Sequence, residues 1–155
     1  MTVATNIRIR QAGAADVETI ASFQCRLAAE SENLTLDLET VRKGVRAVVN
    51  DPNKGRYWLA EVDGQTVACL MILYEWSDWR NAAVWWIYSL YVLPEFRRRG
   101  VLRALYGHLL SLVKADPSLR GLRLYVDKDN RTAMAAYEAL GMDGRHYKLY
   151  EWMAR

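Results

Sequence analysis

The chain has 155 residues, of which 52% are hydrophobic and 25% charged, and its formal net charge is +3. Such a chain is long enough for one domain with a sizeable core, and its composition is that of a soluble globular protein. The charge is too mild to argue for nucleic acid by itself, and the longest apolar runs are too short to span a bilayer.

The opening stretch MTVATNIRIRQAG has no hydrophobic signal region, so a cytoplasmic location is expected. Ile7 to Arg10 alternate as a short first strand. The spacing predicts a helix over Ala15–Ala28, with Val17, Ile20, Phe23, Gln24 and Leu27 on its inner face. A second helix is expected over Asp37–Val49, with Leu38, Val41, Val45 and Val48 inward and Asn50-Asp51-Pro52 as its stop. Tyr57–Val62 and Thr66–Tyr74 read as strands joined by Asp63-Gly64, a strong hairpin signal. A further strand is predicted over Ala83–Val92, rich in aromatic and β-branched residues and stopped by Pro94. Then come a helix from Gly100 to Ala115, a strand over Gly121–Asp127, a helix over Asn130–Leu140 and a last strand over His146–Trp152. There is no linker or repeat. The expected fold is a single α/β domain (α+β mixed): a mixed, mostly antiparallel twisted sheet flanked by helices. Strands 83–92 and 121–127 enter consecutive strand–helix units and should run parallel.

Cys25 and Cys69 are isolated thiols, and His108 and His146 add no ligand spacing to them, so neither a disulfide framework nor a metal site is expected. The chemistry lies in two later segments. In the first, Arg97, Arg98, Arg99 and Gly100 precede Val101, Leu102 and Arg103 at a helix mouth. Glycine there lets backbone approach a ligand, and the unpaired N–H groups of a first turn favour an anion. Arginines beside them add charge-assisted bonds to phosphate. The same residues also suit a solvated basic helix start. In the second segment, Asn130 is a good N-cap and Tyr137 lies about two turns along the same helix face. An amide at the helix mouth and a phenol deeper could line one cleft, although a helical tyrosine is commonly a core residue.

Together the two segments resemble the GCN5-related N-acetyltransferase (GNAT) family. Arg97-Arg98-Arg99-Gly100-Val101-Leu102 is similar to its acyl-CoA pyrophosphate motif R/Q-x-x-G-x-G/A, with Leu102 where the family usually has Gly or Ala. NRTAMAAYEALGM is similar to the family's Asn-then-Tyr helix. The resemblance is strongest over residues 82–142. It implies a GNAT fold whose two parallel strands splay apart, with acetyl-CoA as cosubstrate. It also implies roles: residues 97–103 hold the pyrophosphate, backbone donors of Leu90, Tyr91 and Val92 bind the pantetheine and the thioester carbonyl, Asn130 bonds the pantetheine side, and Tyr137 is the acid for the departing thiolate. A phenol has an ordinary pKa near 10, so it carries its proton at neutral pH.

The acceptor side is less legible. The polyamine branch of the family has an acidic pair before the strand end, and Tyr88-Ser89 stand there instead. A water relay touching Tyr88, Glu75 or the Glu30/Glu32 loop could take the amine proton, or the amine could enter neutral. Trp76 and Trp79, in the ILYEWSDW stretch, suit an aromatic wall for a cation or an apolar acceptor. The acceptor pocket is accordingly expected among Trp76, Trp79 and Tyr88, with Glu30 or Glu32 at its rim and Glu75 nearby. The acidic run from Glu30 to Glu39 equally suits a solvated loop and helix start. Three readings follow. The first is transfer of acetyl from acetyl-CoA to a primary amine of a small molecule or amino acid, in a ternary complex. The second is acetylation of a protein or peptide amine, and the third a non-catalytic acyl-CoA sensor. No nucleic-acid or membrane partner is expected, since the arginine run has no stacking platform or second basic stripe beside it. A homodimer stays open.

Overall fold

In the computed structural model, which describes residues 6–155, the chain divides into two compact units, one ending at Arg123 and one spanning Leu124–Arg155. The signal-region reading draws in part on residues 1–5, which lie outside the described residues.

The first unit is built on five strands, β1 (Ile7–Gln11), β2 (Arg56–Val62), β3 (Gln65–Ser77), β4 (Ala82–Val92) and β5 (Leu119–Arg123), in the spatial order of the sequence. Strands β1 to β4 pair antiparallel, and β4 pairs β5 in parallel. This is the mixed, mostly antiparallel sheet expected from the sequence. Asp63 and Gly64 turn the β2–β3 hairpin with φ of +50° and +79°, the left-handed pair that matches strand twist. β3 runs on to Ser77, past the expected end at Tyr74, because Glu75, Trp76 and Ser77 find partners in Val84, Ala83 and Ala82.

Val67, Ala68, Cys69 and Leu70 are all buried in succession, so both faces of the sheet are covered there. Helix α1 (Val17–Glu32) packs against β3 and β4, and α3 (Val101–Ala115) against β1, β2 and β5. α1 buries Val17, Ile20, Ala21 and Phe23, while α3 buries Val101, Leu105, Leu109 and Val113, a strict one-turn stripe. Each of these side chains except Ala21 contributes roughly 1.5–3 kcal/mol by leaving water. α2 (Leu38–Asn50) buries only Val45 and packs against α1. Asp37 caps it rather than opening it: the carboxylate accepts from Thr40 N at 3.0 Å. The expected inward residue Leu38 is 40% exposed, since it opens the helix beyond the covered stripe.

β5 begins and ends earlier than the sequence pattern indicates, at Leu119–Arg123 rather than 121–127. Asp116 explains the early start, because its carboxylate takes the Ser118 N–H at 2.8 Å and turns the chain into the strand. In the second unit, helix α4 (Arg131–Ala139) is capped by Asn130 and followed by Gly141 at φ +91°. The last strand expected over His146–Trp152 is absent; those residues are irregular and exposed. Their alternating pattern is strand-like, but a strand exists only when its N–H and C=O groups meet a ladder, and the described residues of this unit contain no other strand.

Candidate functional site

The loop after β4 has the backbone of an anion cradle. A 3-10 turn over Pro94–Phe96 follows the strand, and Arg97 is extended. Arg98 and Gly100 then adopt left-handed conformations, φ +62° and +84°. The α3 ladder begins with Ala104 N donating to Gly100 O at 2.9 Å, which leaves the N–H groups of Val101, Leu102 and Arg103 ahead of it. A Cβ built at Gly100 would meet no atom within 4 Å. The glycine therefore answers to its left-handed φ, and the space before these N–H groups is open. Such an arrangement favours phosphate. Arg98, Arg99 and Arg103 are exposed around it, Val101 is buried and Leu102 is half-buried. The Arg99 guanidinium lies 5.6 Å from the Phe96 ring centroid.

The strand leading to this loop is interrupted. Cys69 pairs Tyr91 and Met71 pairs Tyr88, so β4 spends three steps where β3 spends two. The extra residue is a bulge at Ser89–Leu90, with Ser89 at φ +50°. Two things follow. Tyr88 and Tyr91, which an unbroken pleat would put on opposite faces, fall on the same face. That face also carries Glu75, Trp86 and Arg123 by register, and α1 packs on it. The parallel register with β5 stops at Trp86–Arg123, so the backbone of Leu90, Tyr91 and Val92 lies beyond the β5 ladder. Cys69 packs beneath the bulge, its Sγ 3.9 Å from Ser89 O and accepting from Gln24 Nε2 at 3.6 Å. Burial pushes the Cys69 thiol up to about 12, which keeps it a thiol.

Glu30, Tyr91 and Arg97 form one cluster. The Tyr91 hydroxyl donates to Glu30 Oε1 at 2.8 Å, and Arg97 Nη2 donates to Glu30 Oε2 at 2.5 Å. Arg97 Nε donates to Val92 O at 2.9 Å, and the guanidinium lies 5.5 Å from the Tyr91 ring centroid. Partial burial pushes the Glu30 carboxyl up, but the Arg97 and Tyr91 donors outweigh it and hold it below the usual range. Burial, then the Glu30 carboxylate, raises the Tyr91 phenol. Glu32, the last residue of α1, is exposed.

Glu75 is likewise engaged. Its Oε2 accepts from Trp86 Nε1 at 3.0 Å and from Arg123 Nη1 at 2.6 Å. The Trp86 bond first, then Arg123, holds its carboxyl below the usual range, so it is a weak base as it stands. Tyr88 is half-buried on the same face. Trp76 does not join it: strand alternation puts Trp76 on the opposite face with Tyr74 and Trp85. Trp76 is 65% exposed and Trp79, in the hairpin tip, 90%.

In the second unit Asn130 Oδ1 accepts from Ala133 N at 3.0 Å. Tyr137 is half-buried, and burial raises its phenol above the ordinary value. The proton therefore stays on Tyr137 Oη at neutral pH. Sequence reading missed the bulge, because Ser is not a residue that advertises a left-handed φ. It also missed the Glu30–Arg97 pair, whose members are 67 residues apart.

The model of the GNAT acetyltransferase family matches residues 19–142. A solved structure titled as a possible acetyltransferase, from Clostridium difficile 630, is 42% identical, covers 96% of this chain and 98% of its own, and superposes with a TM-score of 0.89. The aminoglycoside N-acetyltransferase AAC(6')-Iy in complex with CoA is 14% identical over 99% of this chain and 98% of its own, with a TM-score of 0.78. A protein titled "predicted acetyltransferase with acetyl-CoA", from Clostridium acetobutylicum, is 18% identical over 94% of this chain and 96% of its own, with a TM-score of 0.72. The last two likenesses concern the fold alone. Among curated proteins none matches the chain.

Proposed function

This chain belongs to the GNAT acetyltransferase family, an N-acetyltransferase with acetyl-CoA as cosubstrate, and from that premise we propose that its acceptor is a primary amine of a small molecule or amino acid. The observation that carries the acceptor reading is the acceptor-side face of β4. Where a polycation would call for an acidic pair, that face presents Tyr88 and the bulged Ser89, and its carboxylate Glu75 is already bonded to Trp86 and Arg123, as Glu30 is to Tyr91 and Arg97. A single amine, or an amine balanced by its own carboxylate, suits such a face better than a long polycation.

Each residue's part is the one that the likeness to the family implies and its chemistry allows. The N–H groups of Val101, Leu102 and Arg103 hold the pyrophosphate, with Arg98, Arg99 and Arg103 adding charge. Backbone donors of Leu90, Tyr91 and Val92 hold the pantetheine and steady the thioester oxygen as charge develops on it. The Asn130 amide bonds the pantetheine side. Acetyl-CoA, when bound, supplies an activated thioester. Tyr137 keeps a proton on its phenol oxygen and gives it to the departing thiolate, as the likeness of NRTAMAAYEALGM to the family's helix implies. No side chain on the Glu75 face is a strong base, so the amine proton leaves through water or the amine enters neutral. The proposed setting is cytoplasmic, in keeping with the two free thiols, Cys25 and Cys69; no helix among the described residues is long and apolar enough to cross a membrane.

Thiol release from acetyl-CoA across a panel of monoamines, amino acids, polyamines and peptides tests the reading. Turnover should be greatest with a monoamine or amino acid. If spermidine or a peptide were turned over orders of magnitude better, the acceptor assignment would be wrong.

A further inference from the structure

We propose that Glu30 is a positioning residue for acetyl-CoA rather than part of the acceptor rim, and that it acts by withdrawing Arg97 from the phosphates and using it to brace the strand end against the phosphate loop. The proposal rests on the cofactor reading above.

The geometry is that of a strap. Glu30 stands in the last turn of α1, and its two carboxylate oxygens take different partners. One receives the hydroxyl of Tyr91, on β4 just past the bulge, at 2.8 Å, and the other receives Arg97 Nη2, at the head of the loop, at 2.5 Å. Arg97 closes the ring of contacts by donating from Nε to Val92 O at 2.9 Å and lying over the Tyr91 ring. Phe23, two turns earlier on α1, packs its ring 5.4 Å from the Tyr91 ring, so the helix holds Tyr91 from two points. Arg26, one turn before Glu30, adds favourable charge to the carboxylate.

Two consequences bear on the ligand. A guanidinium forms a planar fork with few orientations. With Nε on Val92 O and Nη2 on Glu30, two of the three nitrogens of the exposed Arg97 fork are held by protein partners, although the motif's first position is basic. The phosphates then fall to the N–H groups of residues 101–103 and to Arg98, Arg99 and Arg103. The strap also joins the two stretches whose backbone donors must meet opposite ends of one ligand, Leu90–Val92 and Val101–Arg103. A single carboxylate on α1 thereby fixes the spacing between the thioester end and the pyrophosphate end. Preorganisation of this kind acts on cofactor affinity, since the free protein need not order the loop on binding.

The test uses the full chain and CoA itself, titrated calorimetrically, beside steady-state kinetics and thermal melts. Glu30→Ala should raise the CoA dissociation constant and the KM for acetyl-CoA together, by about tenfold, while kcat and the acceptor KM move less than twofold. Glu30→Gln, whose amide oxygen still accepts from Arg97 while its NH2 can only donate to the Tyr91 hydroxyl oxygen, should recover part of that loss. Arg97→Met should weaken CoA to a similar degree, and the double variant Glu30→Ala/Arg97→Met should be no worse than either single one. Salt separates bracing from direct phosphate contact. Arg97→Met should keep the wild-type salt dependence of CoA binding, whereas Arg98→Met or Arg99→Met should flatten it. Three results would overturn the inference: an acceptor KM that rises in Glu30→Ala with CoA affinity intact, additive single variants, or a salt dependence flattened by Arg97→Met. Absence of CoA binding by the wild-type protein would instead strike at the cofactor reading, and the strap would fall with it.

Discussion

Replacing Tyr137 by Phe removes one oxygen and keeps the ring, so it separates the proposed acid from its packing. Burial raises the phenol in the folded chain, which makes it a reliable proton carrier at neutral pH and a poor base. We expect Tyr137→Phe to lower kcat about a hundredfold or more with the CoA dissociation constant unchanged, because a group acting in the transition state affects rate rather than ground-state binding. Full turnover with chemistry rate-limiting would make the hydroxyl structural. Gly100 is the second residue where one atom type decides the outcome. Its φ of +84° suits glycine, and open space lies where a Cβ would go. Gly100→Asp adds backbone strain of about 1 kcal/mol and sets a carboxylate before the N–H groups of residues 101–103. CoA should raise the melting temperature of the wild-type protein and leave that of Gly100→Asp unmoved; an equal shift in both would dismiss the phosphate assignment.

At the scale of an element, β4 matters through its irregularity. A regular strand would keep every N–H and C=O of residues 87–92 in ladders and would alternate its side chains. The bulge at Ser89–Leu90 breaks the β3 register and turns Tyr88 and Tyr91 to one face. The left-handed φ of Ser89 is the local cost of that turn. Glycine adopts the conformation without strain and a β-branched residue does so badly. Ser89→Gly should therefore keep both stability and turnover near wild type. Ser89→Val should lose stability by about 1–3 kcal/mol and lose kcat with it, as the donors of Leu90, Tyr91 and Val92 are displaced. Thermal melts and thiol-release kinetics on the pair check this, and Ser89→Val with unchanged kcat would remove the bulge from the mechanism.

For the molecule as a whole, one ion-pair network ties chain segments that are distant in sequence. Arg10 on β1 forks onto Asp16 at 2.8 and 2.9 Å and donates to Glu61 on β2 at 2.6 Å. Asp16 also accepts from Gly13 N at 2.8 Å, which fixes the entry to α1. The Arg10 bond first, against burial, holds the Asp16 carboxyl below its usual value, and the same bonds raise Arg10. The sign follows from linkage. A carboxyl depressed in the folded state contributes its full stability above its unfolded pKa and loses it as pH falls through the folded one. The melting temperature should be flat at neutral pH and drop below about pH 4. Asp16→Asn should lower it by a few degrees at pH 7, for a loss of about 1–2 kcal/mol, and should shallow the acid drop. An acid limb identical to wild type would show that other carboxylates dominate it.

Much of this was legible along the chain. The order of helices and strands up to α4, the Asp63-Gly64 hairpin, the Asn130 cap and the glycine at the mouth of α3 all rest on interactions within a few residues, which composition and spacing encode directly. The tertiary structure decided the rest, for three physical reasons. Whether an alternating run becomes a strand depends on a neighbour, so 146–152 stayed irregular and β5 ended at Arg123. Side-chain facing depends on register, so the Ser89–Leu90 bulge brought Tyr88 and Tyr91 together and alternation turned Trp76 away from them. The use of a charge depends on what folds beside it. In the sequence, Glu30 is one of several acids and Arg97 the first of a run of three arginines; only folding sets them 2.5 Å apart.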